Sequence, residues 1–204
     1  MTKRPKRRWG PATLAAVLLG LTACAKVMSP VEEKTVDPLP QKTVQMMLAN
    51  HEAGRVKTVS GAGYIVGPIA IAMAHGEVSL IPSAPALEAT LAKLQNRWLA
   101  GRRQPLPFEA FQNAFVPLTQ QRIAVGRAGG ESLIRFASTD EQGRFRFEGV
   151  PQGRWLLVAD MSSPVSTLLW ALPIQIGAED PLPLLLFDGN ILFEVRTPQP
   201  PPTK

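Results

Sequence analysis

The chain has 204 residues, 45% of them apolar, and a formal charge of +6. Residues 1–23 contain Lys3, Arg4, Lys6, Arg7 and Arg8 and no acid; subtracting these five from 22 leaves 17 basic against 16 acidic residues over the other 181, a net +1. A nearly neutral body of one domain's length excludes the broad positive field that draws nucleic acid, and the apolar share excludes a disordered polypeptide.

The N-terminus is built as an export signal. Lys3–Arg8 is basic, Ala12–Leu21 (ATLAAVLLGL) is apolar, and Leu21-Thr22-Ala23-Cys24 closes the segment with small side chains. The apolar run is too short for a permanent spanning helix, which needs about 20 residues. The residues LTAC resemble the bacterial lipobox. That resemblance implies cleavage between Ala23 and Cys24, a diacylglycerol on the Cys24 sulfur and a further acyl chain such as palmitate on the new amine. It also explains the lone cysteine, which no disulfide can use. Each buried CH₂ contributes about 0.8 kcal/mol, and two or more chains hold stably to a bilayer. Ala25 replaces the Asp that retains Gram-negative lipoproteins at the inner membrane. The resemblance therefore implies an outer-membrane anchor, with the body facing the periplasm or the cell surface. No cofactor is expected beyond this covalent lipid.

Residues 24–56 are expected to form a lipidated N-terminus and tether, with a short helix over Thr43–Ala49. The body spans 57–196 and is mostly strand. Lys57–Ile65 is rich in Thr, Val, Tyr and Ile, with Gly61 and Gly63 marking an irregularity. Glu77-Val78-Ser79-Leu80 alternates within Ile69–Pro82. Pro85–Ala100 then places Leu87, Leu91, Leu94 and Trp98 on one helical face, with Ser83 as the expected cap, Pro85 in the first turn and Gly101 at the end. Residues 105–118 add a short turn of helix, making an insertion of about 85–118. Gly126–Gly130 reads as a loop. Leu133–Ser138, Arg144–Glu148 and Arg154–Ala159 alternate as strands. Pro164–Gly177 is apolar but too short to span a membrane, and Pro173 interrupts it. Leu182–Phe187 and Asn190–Val195 flank Asp188-Gly189, a hairpin signal. The last segment, 197–204, is a Pro-rich tail.

The most specific stretch is Thr139-Asp140-Glu141-Gln142-Gly143-Arg144-Phe145-Arg146-Phe147-Glu148-Gly149-Val150-Pro151-Gln152-Gly153-Arg154-Trp155-Leu156-Leu157. Asp140 and Gly143 mark a type I turn, Phe145 and Phe147 share one face of the next strand, and Pro151 and Gly153 make a second turn before a return strand carrying Trp155 and Leu157. These residues resemble the carboxypeptidase regulatory-like domain family, with Gly76–Pro82 similar to the family's earlier strand. The resemblance implies a transthyretin-like or Ig-like β-sandwich over 57–196. Such modules accompany enzymes and surface proteins without being catalytic, so Asp140 and Gly143 are turn formers and not site residues.

Catalytic and metal-binding patterns are sparse. His51 and His75 are the two histidines, and with Cys24 lipidated neither has a cysteine partner, which leaves too few such ligands for a zinc site. There is no G-x-S-x-G elbow and no S-x-x-K. Glu32-Glu33, Asp140-Glu141 and Glu179-Asp180 are neighbours that point to opposite faces of an extended chain. Arg97, Arg102 and Arg103 gather near Trp98, as a solvated helix end or a surface for acidic groups. No catalytic, metal or cofactor-binding residue is assigned. The expectation is a non-catalytic envelope lipoprotein whose sandwich is a structural or binding module for an envelope protein or a glycan, with no nucleic-acid partner. The alternatives are an accessory subunit of an envelope export or assembly complex, and a hydrolase that would need Ser and His51 or His75, or two carboxylates, across a cleft.

Overall fold

The computed structural model describes residues 41–66 and 69–196. The expected signal peptide, Ala23, Cys24, the tether up to residue 40 and the Pro-rich tail lie outside the described residues. In chain order the elements are α1 (Gln41–Glu52), β1 (Val56–Ile65), β2 (Ile71–Ala72), β3 (Glu77–Pro82), α2 (Pro85–Ala100), α3 (Phe108–Arg127), β4 (Arg135–Ser138), β5 (Arg144–Pro151), β6 (Gly153–Ser162), β7 (Ser166–Ile176), β8 (Leu184–Leu186) and β9 (Phe193–Arg196).

The strands form a β-sandwich. In the first sheet β1 pairs antiparallel with β5 and then with β2, and takes β8 as a parallel neighbour. The second sheet runs β4-β3-β6-β7-β9, all antiparallel. Phe145, Phe147 and Val59 turn inward from the first sheet, and Phe145 and Phe147 meet edge to face with ring centroids 6.0 Å apart. Trp170 comes from the second sheet, and its indole N–H donates to the Phe187 carbonyl at 3.1 Å, beside β8.

The second sheet is covered on its other face by α2 and α3. The Gln121 amide donates to the Pro82 carbonyl at 2.8 Å, Arg122 to the Ser79 hydroxyl at 2.8 Å and Gln95 to the Ile191 carbonyl at 2.8 Å. A sheet buried on both faces needs apolar side chains at successive positions. That is why Trp155 to Ala159 are all buried instead of alternating.

Several expectations change. Of the segment 105–118, all from Phe108 on belongs to a 20-residue helix that passes through Pro117 and ends at Arg127, so the insertion reaches 127 and Gly126 is helical. Pro117 removes one helical hydrogen bond, but Leu118 and Val125 are buried and hold the helix on the sheet. Ser83 does not cap α2: its N–H continues the β3–β6 ladder to the Arg154 carbonyl, and Ala84 takes the cap position without a side-chain bond. Asp188-Gly189 makes no hairpin. It forms a single 3₁₀ turn that carries the chain from β8 in the first sheet to β9 in the second. The Pro151–Gly153 turn likewise does not return β6 onto β5 but crosses between sheets. Pro164–Gly177 is largely the long strand β7. Finally, the short helix near Thr43 is a 12-residue helix packed into the body, with Val44 and Met47 fully buried.

Candidate functional site

Among the described residues no helix covers the outer face of the first sheet around Ser60–Tyr64, and its side chains follow from register. Ser60 lies opposite Arg146, and Ala62 lies between Arg144 on β5 and Leu185 on β8. Tyr64 follows two residues on, on the same face. Together with Asp140 and Pro183 they line an open depression of about 920 Å³. Gly61 makes this geometry possible. A side chain there would put its Cβ 2.4 Å from the Leu184 carbonyl oxygen and 2.5 Å from the Phe145 ring, so only glycine lets β8 close on β1.

One end of the depression is fixed by the Thr139–Gly143 turn. The Gly143 N–H donates to the Asp140 carbonyl at 2.9 Å, and Gly143 adopts φ +74°. The Asp140 carboxylate accepts from the backbone N–H of Gln142 at 3.0 Å and of Arg144 at 2.8 Å, and from Arg144 Nε at 2.7 Å. The Arg144 backbone N–H leads in holding this carboxyl below its ordinary value, with the guanidinium adding to it. Buried Thr139 accepts from the Gly76 N–H at 2.8 Å and donates to the Met73 carbonyl, tying the turn to the β2–β3 connection. Arg135 reaches from β4 to the carbonyls of Glu148 and Gly149 at 2.6 and 2.9 Å, joining the two sheets behind it.

The remaining candidates are dispersed. His51 lies in the last turn of α1, near the Pro151–Gly153 corner. His75 lies in a left-handed turn whose N–H donates to the Thr139 carbonyl at 3.2 Å. The eight residues of β5 separate the two by about 25 Å. Among the described residues, no three of His, Cys, Asp and Glu gather to hold a metal ion. Asp160 stands apart from the depression, with its pKa raised first by desolvation and then by the charge of Glu77. Arg103 stacks over Trp98 at 5.8 Å from the ring centroid, on the opposite side of the sandwich.

The depression therefore offers an aromatic ring, a hydroxyl, two guanidinium groups and a fixed carboxylate on a rigid sheet. It suits binding a ligand rich in hydroxyl or anionic groups. The alternation over Arg144–Glu148 puts Arg144 and Arg146 on the face opposite Phe145 and Phe147, but it singles out neither Ser60 nor Tyr64. The available signal was the alternation Ser60, Ala62, Tyr64, which ends on the chain's one tyrosine. Their meeting with β5 and β8 is a long-range pairing that no local pattern encodes.

No protein-family model matches the chain, and no characterised protein sequence matches it. Its likeness to the carboxypeptidase regulatory-like pattern rests on the residues quoted above. Among solved structures, the chain is similar to a Pseudomonas aeruginosa protein described as a candidate carbohydrate-binding protein, with 17% identity and a TM-score of 0.40 over 70% of this chain and 95% of that one. It is also similar to the pilus backbone protein RrgB of Streptococcus pneumoniae, with 14% identity and a TM-score of 0.28 over 59% of this chain and 35% of that one. At these values neither likeness bears on ligand or activity.

Proposed function

We propose that this chain is an envelope lipoprotein, anchored through acylated Cys24 in the outer membrane, whose β-sandwich is a non-catalytic module that binds an envelope glycan. The observation that carries the binding reading is the open depression on the first sheet. Its Ser60, Arg144, Arg146 and Asp140 provide donors and acceptors for hydroxyl and anionic groups, and Tyr64 provides a ring for a sugar face. The anchor reading is supported by the basic stretch, the apolar run and LTAC ending at the one cysteine.

Two experiments test the two parts. Titration of the purified protein with peptidoglycan fragments and lipopolysaccharide core oligosaccharides should show binding. Tyr64→Ala and Arg146→Ala should each weaken it about five- to thirty-fold, the loss of a contact of about 1–2 kcal/mol, while leaving the melting temperature nearly unchanged. Saturable binding that both variants leave intact would move the site elsewhere, and no binding to any glycan would end the glycan reading. For the anchor, Cys24→Ser should abolish acyl labelling and release the chain from the membrane fraction.

A further inference from the structure

The helical layer has a charge that the neutral total conceals. Residues 85–127 hold Lys93, Arg97, Arg102, Arg103, Arg122 and Arg127 against Glu88 and Glu109, a net +4. The rest of the chain after residue 23 then carries 11 basic and 14 acidic residues, −3. Glu88 is 14% exposed and engaged by Arg154 at 2.9 Å, so it does not offset the outward charges. Lys93, Arg97, Arg102, Arg103 and Arg127 are all exposed. Between them Leu99, Val116 and Ile123 are 42%, 43% and 48% exposed.

The end of α2 is also held in an unusual conformation. Arg102 and Arg103 both take φ +58°, a left-handed backbone that non-glycine residues rarely adopt. The turn is fixed by N–H bonds to the Leu99 and Trp98 carbonyls, and by Arg103 over Trp98. It presents two adjacent guanidinium groups beside Leu99. The layer faces away from the depression, because the helices cover the outer side of the second sheet and the depression lies on the outer side of the first. The chain leading back to Cys24 joins the body at Gln41. One turn later the Gln45 side chain donates to the Ala128 carbonyl at 2.9 Å, at the C-terminal end of α3.

From this charge, the exposed apolar side chains and the point of attachment, we infer that the α2–α3 layer is the membrane-facing side of the domain and seats on an anionic phospholipid surface. The inference rests on the anchor reading and adds an orientation to it. Basic side chains meet the headgroups, while Leu99, Val116 and Ile123 reach the boundary of the acyl region. The sandwich then stands with its depression turned away from the bilayer.

The test uses the full, acylated chain on vesicles, with Thr119→Cys on the exposed stripe of α3 or Glu148→Cys on the outer face of the first sheet. Acylation of Cys24 leaves each introduced thiol as the one labelled with an environment-sensitive fluorophore. Brominated lipid should quench the Thr119→Cys label on phosphatidylcholine vesicles containing phosphatidylglycerol, and less on phosphatidylcholine alone. The Glu148→Cys label should respond in neither. Replacing Lys93, Arg97, Arg102 and Arg103 with Gln should reduce seating roughly five-fold per charge. Flotation with phosphatidylglycerol-containing vesicles at low salt, without quenching of the Thr119→Cys label, would overturn the inference and leave the anchor standing. Loss of flotation would defeat the anchor and this orientation with it. A Thr119→Cys label that answers an anionic polysaccharide but neither vesicle would assign the face to a glycan and overturn the membrane assignment.

Discussion

Asp140 and Asp160 bear on stability with opposite signs. The fold lowers the pKa of Asp140 from 3.8 by hydrogen bonds to its charged form. Its contribution is in place above pH 3.8 and is lost as pH falls toward the lowered value. Asp140→Asn should remove that acid-side decline in thermal unfolding. The fold raises the pKa of Asp160 from the same 3.8, so it favours the neutral acid, and stability falls as pH rises from 3.8 through the raised value. Asp160→Asn should therefore raise the melting temperature at neutral pH and leave it unchanged at strongly acid pH. Gly143→Ala should destabilise by at least about 1–3 kcal/mol from backbone strain alone, because a Cβ there also lies 2.4 Å from the Gly63 carbonyl oxygen. This turn was readable in the sequence because Asp140 and Gly143 act within four residues of each other. The bond from Thr139 to Met73 was not, because it joins segments 66 residues apart.

Among the elements, α2 was legible because Leu87, Leu91, Leu94 and Trp98 repeat at helical spacing. α3 was obscured by Pro105, Pro107, Pro117 and Gly126, which local rules treat as breaks and tertiary packing overrides. β7 was missed because Leu168–Leu172 is apolar at every position, with Leu169 and Trp170 buried on opposite faces, so it shows no alternation, and Pro173 suggested an interruption. Pro173 is tolerated where β9, which pairs only with Ser166–Leu169, no longer flanks the strand. β8 has three residues and depends on one glycine. Gly61→Val should lower stability and release the β8 amides to rapid hydrogen exchange, while the β6–β7 amides stay protected under native conditions.

For the whole molecule, a mostly-strand body was legible from strand count and alternation, and the sandwich only as what the resemblance of residues 139–157 implies. Which strands share a sheet was not. The chain changes sheets at Thr139–Gly143, at Pro151–Gly153 and at Asp188–Asn190, and each of these turns looks locally like a hairpin. The outer depression exists only through that non-local assembly. α1 completes the body at one end: Met47 packs on Gly153, and Asn50 donates to the Gln152 carbonyl at 3.0 Å. Met47→Ala should destabilise the domain by about 2–5 kcal/mol in denaturant unfolding, as a fully buried side chain is replaced by a cavity. Because α1 lies between the upstream chain and the sandwich, any tug on that chain loads Val44, Met47 and Asn50 before it reaches a strand. Under mechanical force α1 would detach first, lengthening the reach of the body while both sheets stay intact, like a breakaway coupling between a mooring line and a hull.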